Sequence, residues 1–228
     1  MLIGGFQKMT MLDYPGKIAC TVFTYGCNFR CPFCHNARLV TKPSDMIPES
    51  EIFSYLEKRR GMLDGVCITG GEPLLQKDIF EFMKKIQDMG FLVKLDTNGY
   101  FPDLLSEAIE RGLCDYVAMD IKNSKSKYAK TVLADNFDIS PICKSVEILL
   151  GGRVEYEFRT TVVKELHTKE DILDICTWIK GAKRYLLQSF VDSGELIGSS
   201  LSALDIAEFK ALLPLVEPFV DSCGLRGV

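Results

Sequence analysis

The sequence predicts an α/β fold, a partial, open (β/α)6 barrel of TIM-like type, on three observations. Short β-branched or apolar runs alternate with longer amphipathic stretches, the pattern of repeated βα units around a parallel sheet. About six such runs occur, and six right-handed βα units fall short of the ring that eight units close. Polar residues of chemical interest follow directly after these runs, where ligands gather in such folds.

The strand candidates, in order, are IACTVFTY (18–25), GVCIT (65–69), FLVKLD (91–96), YVAMDI (116–121), VEYEFRTTVV (154–163) and YLLQSF (185–190). Each is rich in β-branched, aromatic or aliphatic residues. The segments between them read as helices with recognisable ends. Pro48, Glu49 and Glu51 open the first, and Lys58, Arg59 and Arg60 close it before Gly61, charges that suit the helix dipole. The stretch 77–89 places Ile79, Phe80, Met83 and Ile86 on one face, and Gly90 stops it. Helices are also expected over 102–110, 168–180 and 202–213, with Thr168 and Ser202 as N-caps of the last two. No linker, low-complexity tract or sequence repeat intervenes, so residues 1–228 read as a single domain.

With 228 residues the chain can bury a sizeable core, and 47% hydrophobic and 25% charged residues place it among ordinary globular proteins. A formal charge of -4 offers no electrostatic attraction to nucleic acid or to an anionic membrane. The longest apolar stretches are of strand length, and the N-terminal MLIGGFQKMT lacks the zones of a signal peptide. The nine cysteines are odd in number and mostly scattered, which argues against a disulfide framework and for a reducing, cytoplasmic location. Cys20, Cys67, Cys114 and Cys176 lie in or beside apolar segments and read as core, while Cys143 and Cys223 are less clear.

Cys27, Cys31 and Cys34 differ from these. Separated by three and two residues, they put three soft thiolate donors in one loop, one fewer than a closed structural zinc site takes. Such a set either holds a cluster with one open iron or is a zinc knuckle completed by His35 or a distant cysteine. The second strand candidate ends in Thr69-Gly70-Gly71-Glu72-Pro73, where two glycines let the backbone approach a ligand and Glu72 can face an ammonium. The third ends in Asp96-Thr97-Asn98-Gly99 and the fourth in Asp120-Ile121-Lys122. Read singly, Asp96 is a turn residue and Lys122 a solvated charge. Arg159 lies within the fifth, where alternation can point it into the barrel, and an interior arginine needs an anionic partner such as Asp120. His35 is either a hydrogen-bond partner of the loop or an ordinary loop histidine, and His167 reads as surface.

The cysteine spacing, with Phe33 just before the third cysteine, resembles the signature of the radical S-adenosylmethionine (SAM) enzymes. The stretch LDYPGKIACTVFTYGCNFRCPFCHN, followed by GGEP, DTNG and DIK, resembles the glycyl radical enzyme activating enzymes, above all the second, longer type that activates anaerobic ribonucleoside-triphosphate reductase. The resemblance runs to about residue 165 and, more loosely, to the terminal LRG. It implies a 4Fe-4S cluster on Cys27, Cys31 and Cys34, with SAM chelating the open iron. It further implies that Gly70, Gly71 and Glu72 meet the SAM amino group, with Phe33 also at the SAM site. Lys122 pairs with the SAM carboxylate, for which Arg159 is a second candidate. Asp96, Thr97 and Asp120 hold a monovalent cation, with Asp96 also beside SAM. Gln188 and Ser189 lie within reach of the adenosine, although Phe190 stands where the pyruvate formate-lyase activating enzyme has a histidine. An electron from flavodoxin or ferredoxin then cleaves SAM, and the 5'-deoxyadenosyl radical takes a hydrogen from a glycine Cα of the partner. The competing readings are a small-metabolite radical SAM enzyme of the deazapurine type and a non-catalytic zinc or iron-sulfur protein.

Overall fold

The computed structural model of the protein describes residues 1–41, 45–134 and 136–227. Among these, one sheet runs in the order β1 (Ile3–Thr10), β2 (Ala19–Thr24), β3 (Gly65–Gly70), β4 (Leu92–Thr97), β5 (Tyr116–Asp120), β6 (Glu155–Val162), β7 (Tyr185–Ser189) and β8 (Cys223–Arg226). Strands β2 to β8 pair in parallel, and β1 pairs antiparallel with β2. The edge strands β1 and β8 do not pair with each other, so the sheet is a partial, open TIM-like barrel. All six expected strands are present, and β1 and β8 extend them at either edge.

Strands covered on both faces should be buried throughout, and β2 is, apart from Phe23. The covering layer includes the helices Glu49–Lys58, Ile79–Asp88, Pro102–Glu110, Ser140–Leu150 and Lys169–Trp178, each placed between consecutive parallel strands. In Ile79–Asp88 the buried residues are Ile79, Phe82, Met83 and Ile86, the i, i+3, i+4, i+7 stripe, and burying each stabilises the fold by roughly 1.5–3 kcal/mol. Phe82 therefore replaces the expected Phe80, which lies outside that stripe under the Arg111 guanidinium. Thr168 caps Lys169–Trp178 as expected, in a capping box with Asp171. The helix expected over 202–213 is instead two short ones, Ile206–Lys210 and Leu213–Val216. Asp205, not Ser202, caps the first, its carboxylate accepting from the Glu208 N–H, whereas the Ser202 hydroxyl donates to Glu165.

Register decides which polar side chains meet. Asp120 of β5 lies opposite Arg159 of β6, and Thr161 of β6 lies opposite Gln188 of β7, which in turn faces Arg226 of β8. Side chains two apart share a face of a strand, so Lys94 and Asp96 of β4 point the same way. Cys20, Cys67, Cys114 and Cys176 are buried, and Cys143 and Cys223 are half-buried.

Candidate active site

The cysteine loop leaves β2 and is fastened to the turn that leaves β3. The Glu72 N–H donates to the Gly26 carbonyl at 2.8 Å, and Asn36 Nδ2 donates to the Gly70 carbonyl at 3.0 Å, so both ends of the loop are held. Only glycine permits this approach. A Cβ at Gly71 would stand 1.9 Å from the Gly26 oxygen, and Gly70 has φ +109. Further along the loop, the Arg30 N–H donates to the Val132 carbonyl and the Gly198 N–H to the Pro32 carbonyl, both at 2.8 Å.

A cleft of about 400 Å³ opens at the carboxyl ends of the strands. Cys27, Cys31, Cys34 and Phe33 line it on one side, Gly70 and Gly71 at the β3 turn, Asp96 and Thr97 at the end of β4, and Asp120 and Lys122 at and just beyond the end of β5. Arg159 and Gln188 complete it from β6 and β7. The structure thus brings together the site residues expected from the sequence except Ser189, which does not line the cleft, and Glu72, whose side chain lies behind the cleft wall. Glu72 is fully buried. Its Oε1 accepts from the Leu74 N–H at 3.1 Å and the Thr97 hydroxyl at 2.9 Å, and its Oε2 from the Asn98 N–H at 2.7 Å. Burial pushes its pKa up to about 7 against the pull of those donors. The carboxylate ties two ligand-facing turns together instead of facing the cleft.

The thiols sit in a dry environment. Burial pushes Cys31 up to about 12 and Cys27 up to about 11, and it raises Cys34 as well. The nearby Lys122 ammonium opposes this at all three. The Phe29 N–H points at Cys27 Sγ at 3.4 Å and Asn98 Nδ2 at 3.8 Å, donors that favour a sulfur carrying negative charge. Asn28 Nδ2, in the same loop, is buried without a hydrogen-bond acceptor among the described residues. Among those residues no three His, Cys, Asp or Glu side chains converge as ligands of a single ion. Three soft donors around one roomy cleft, with N–H groups turned toward sulfur, fit an iron-sulfur cluster.

Opposite the sulfurs lies a network of ion pairs. Arg159 bridges two carboxylates, with Nε 2.9 Å from Asp120 Oδ1 and Nη1 3.1 Å from Asp96 Oδ2. Lys122 Nζ lies 2.9 Å from Asp120 Oδ2, and Lys94 pairs with Asp96 Oδ1. Burial alone would raise both acids, but Arg159 outweighs it, aided by Lys122 at Asp120 and by Lys94 at Asp96, and both stay below the ordinary carboxylate range. Arg159 therefore pairs with both aspartates in this structure. Lys122 is held above its ordinary value, burial being outweighed by Asp120 and then Cys31. The Thr97 hydroxyl, besides donating to Glu72, accepts from the Gly99 N–H at 3.1 Å.

His167, expected at the surface, is 5% exposed. Its Nδ1 accepts from the Val163 N–H at 3.0 Å, and its Nε2 donates to the Lys122 carbonyl at 2.9 Å, so it braces the segment carrying the cleft lysine. Its ring edge contacts Phe33. His35 is exposed and its ring lies 6.0 Å from that of Phe190. Sequence reasoning passed over Asn98, which joins the β4 turn to Asn28 at 2.8 Å, and Lys94. The only signal for Asn98 was its place between Thr97 and Gly99. Asp13, Gln7 and Arg226 also reach the cleft from the open side of the barrel.

Comparison with known proteins agrees with this geometry. A protein of Methanocaldococcus jannaschii, provisionally named a glycyl-radical enzyme activating enzyme, is 36% identical over 233 residues, covering 100% of this chain and 96% of the relative. The 7-carboxy-7-deazaguanine synthase of Thermoplasma acidophilum is 35% identical over 127 residues, 54% of this chain and 56% of that protein. In fold, the chain resembles SuiB of Streptococcus suis, solved bound to SAM, with a TM-score of 0.69 at 14% identity, covering 89% of this chain and 48% of the other. The sequence model of the Radical SAM superfamily matches residues 21–183, from within β2 to just before β7 and through every cleft motif up to Arg159, and the chain belongs to that superfamily.

Proposed function

We propose that this protein is an activating enzyme that abstracts a hydrogen from a glycine Cα of a partner glycyl radical enzyme, anaerobic ribonucleoside-triphosphate reductase in the first instance. The observation that carries the reading is the end-to-end relative provisionally named for glycyl radical activation, which matches the chain across the whole cleft. The barrel is open between β1 and β8, and the cleft reaches Gln7 on one edge and Arg226 on the other, room for a polypeptide loop to approach.

The superfamily uses a 4Fe-4S cluster and SAM. Cys27, Cys31 and Cys34 would hold the cluster, which when bound would supply the electron for reductive cleavage of SAM to methionine and a 5'-deoxyadenosyl radical. The chain's residues position and enclose. The backbone of Gly70 and Gly71 takes the SAM ammonium, with Glu72 as the buried strap behind them. Lys122 takes the carboxylate, while Arg159 fixes Asp96 and Asp120. Phe33 and Gln188 flank the remaining space, Gln188 toward the adenosine. Flavodoxin or ferredoxin is the proposed reductant, the cytoplasm the proposed compartment, and residues 1–228 one functional domain. Among the described residues no helix is long and apolar enough to cross a membrane.

The test is anaerobic incubation with reductant, SAM and a glycyl radical protein encoded in the same genome. A glycyl radical in the partner, with deuterium passing from its labelled glycine into 5'-deoxyadenosine, supports the proposal. Deoxyadenosine formed while the glycine keeps its label overturns it. The Thermoplasma relative favours a second reading, a radical SAM enzyme acting on a small deazapurine precursor. That reading requires deoxyadenosine formation to respond to the metabolite and not to the protein partner.

A further inference from the structure

The monovalent cation expected at Asp96, Thr97 and Asp120 does not fit the donor set this chain presents. Each oxygen of the two carboxylates already has a cationic partner. Asp96 Oδ1 faces Lys94, Asp96 Oδ2 and Asp120 Oδ1 face Arg159, and Asp120 Oδ2 faces Lys122. The Thr97 hydroxyl is committed to Glu72 and the Gly99 N–H.

The unusual member is Lys94. It sits two residues before Asp96 on the inward face of β4, one step deeper in the barrel, and is 0% exposed. A fully buried lysine needs a reason. Its ammonium lies 6.0 Å from the centre of the Tyr116 ring and 3.8 Å from Cys67 Sγ, and among the described residues Asp96 is its one ionic partner. Two carboxylates, Asp96 and Asp120, thus face three cationic groups, Lys94, Lys122 and Arg159, leaving one positive charge over. That surplus leaves Lys122 able to meet a SAM carboxylate. With every carboxylate oxygen already paired, a further cation at Asp96 and Asp120 would have to displace an ammonium or guanidinium group.

We propose that the Lys94 ammonium stands in for a monovalent cation beside Asp96, so that SAM binding in this protein needs neither sodium nor potassium. The proposal rests on the assignment of the cleft to SAM, and the experiment separates the two. SAM affinity of the cluster-loaded protein is measured by equilibrium dialysis in choline, sodium and potassium chloride at equal ionic strength, for the wild type and Lys94→Gln. In parallel, thallium(I), a potassium surrogate, is titrated into each protein without SAM and followed by thallium NMR.

Wild-type affinity is expected to vary by less than about twofold among the salts, since ionic strength is held fixed. Lys94→Gln should bind SAM about tenfold more weakly in choline and recover in potassium, a rescue that a merely structural lysine would not show. It should also take up thallium where the wild type does not. A wild type that binds thallium at the cleft, or that loses SAM affinity in choline, overturns the proposal. So does a folded Lys94→Gln protein that is indifferent to the salt. Should Lys94→Gln fail to fold, the wild-type thallium titration and salt series decide alone. A wild type that binds no SAM in any salt counts against the SAM assignment, and the thallium titration still decides the role of Lys94.

Discussion

Glu72 accepts the backbone N–H of Asn98 at 2.7 Å, and this bond joins the turn after β3 to the turn after β4. Replacing Glu72 by alanine strands the Asn98 and Leu74 N–H groups and the Thr97 hydroxyl in a buried site, at about 1–3 kcal/mol for each group left unpaired. Glu72→Ala is therefore expected to lower stability by roughly 3 kcal/mol or more, with SAM binding lost alongside. Urea unfolding checks this. A variant as stable as the wild type would mean that the carboxylate is not a strap.

Lys122 faces both Asp120 and the cysteines, so its removal should separate SAM binding from cluster binding. Lys122→Ala is expected to keep its iron and sulfide content and its visible absorption. SAM affinity should fall about 10- to 100-fold, the equivalent of one charge-assisted hydrogen bond. Unchanged affinity would remove Lys122 from the site.

Arg159 is the shared partner of two buried acids. Removing it leaves Asp96 with Lys94 and Asp120 with Lys122, one cationic partner each in place of two, and one oxygen of each carboxylate loses its bond. Arg159→Met is expected to cost about 1.5–3 kcal/mol, the range for losing a hydrogen bond to a charged group, since each acid keeps a lysine. Thermal melting of the variant measures it, and a wild-type midpoint would show that the lysines suffice.

His167 should make stability depend on pH. Burial is the largest influence on its imidazole and holds it below the usual 6.5, outweighing the backbone bonds to Lys122 and Val163, which pull it the other way. The folded state binds this proton less readily than the unfolded state does. The stabilisation is therefore complete above pH 6.5 and is lost as pH falls through the lowered folded value. Urea unfolding of cluster-free protein should show wild type losing stability relative to His167→Gln across that acid window. Parallel curves would contradict it.

How much of this was legible in the sequence differs from residue to residue. The six central strands were visible because parallel strands covered on both faces are nearly continuous runs of β-branched and aliphatic residues. β1 was not, since IGGFQKMT combines two glycines with the exposed Gln7, Lys8 and Met9 of an edge strand. β8 spans only Cys223–Arg226, too short for a period to register. The cysteines, glycines and Lys122 could be assigned to one site because each follows a strand, and parallel strands bring their carboxyl ends together. Lys94 was overlooked for a related reason. A lysine two residues from an aspartate in a strand marks a polar face, and alternation does not say whether that face meets water or the interior of a barrel. Likewise, GGEP showed that Glu72 stands beside a ligand turn, but only the fold shows its side chain turned back toward Asn98.

Radical SAM chemistry in this cleft requires that Cys27, Cys31 and Cys34 hold the cluster. The most direct measurement is formation of 5'-deoxyadenosine by anaerobically reconstituted protein with reductant and SAM, followed by mass spectrometry beside the Cys31→Ala variant. Product from the wild type and none from Cys31→Ala is the expected result. Product formed equally by both would contradict it, as would a wild type that carries a full 4Fe-4S cluster and binds SAM yet makes no deoxyadenosine even with its protein partner present.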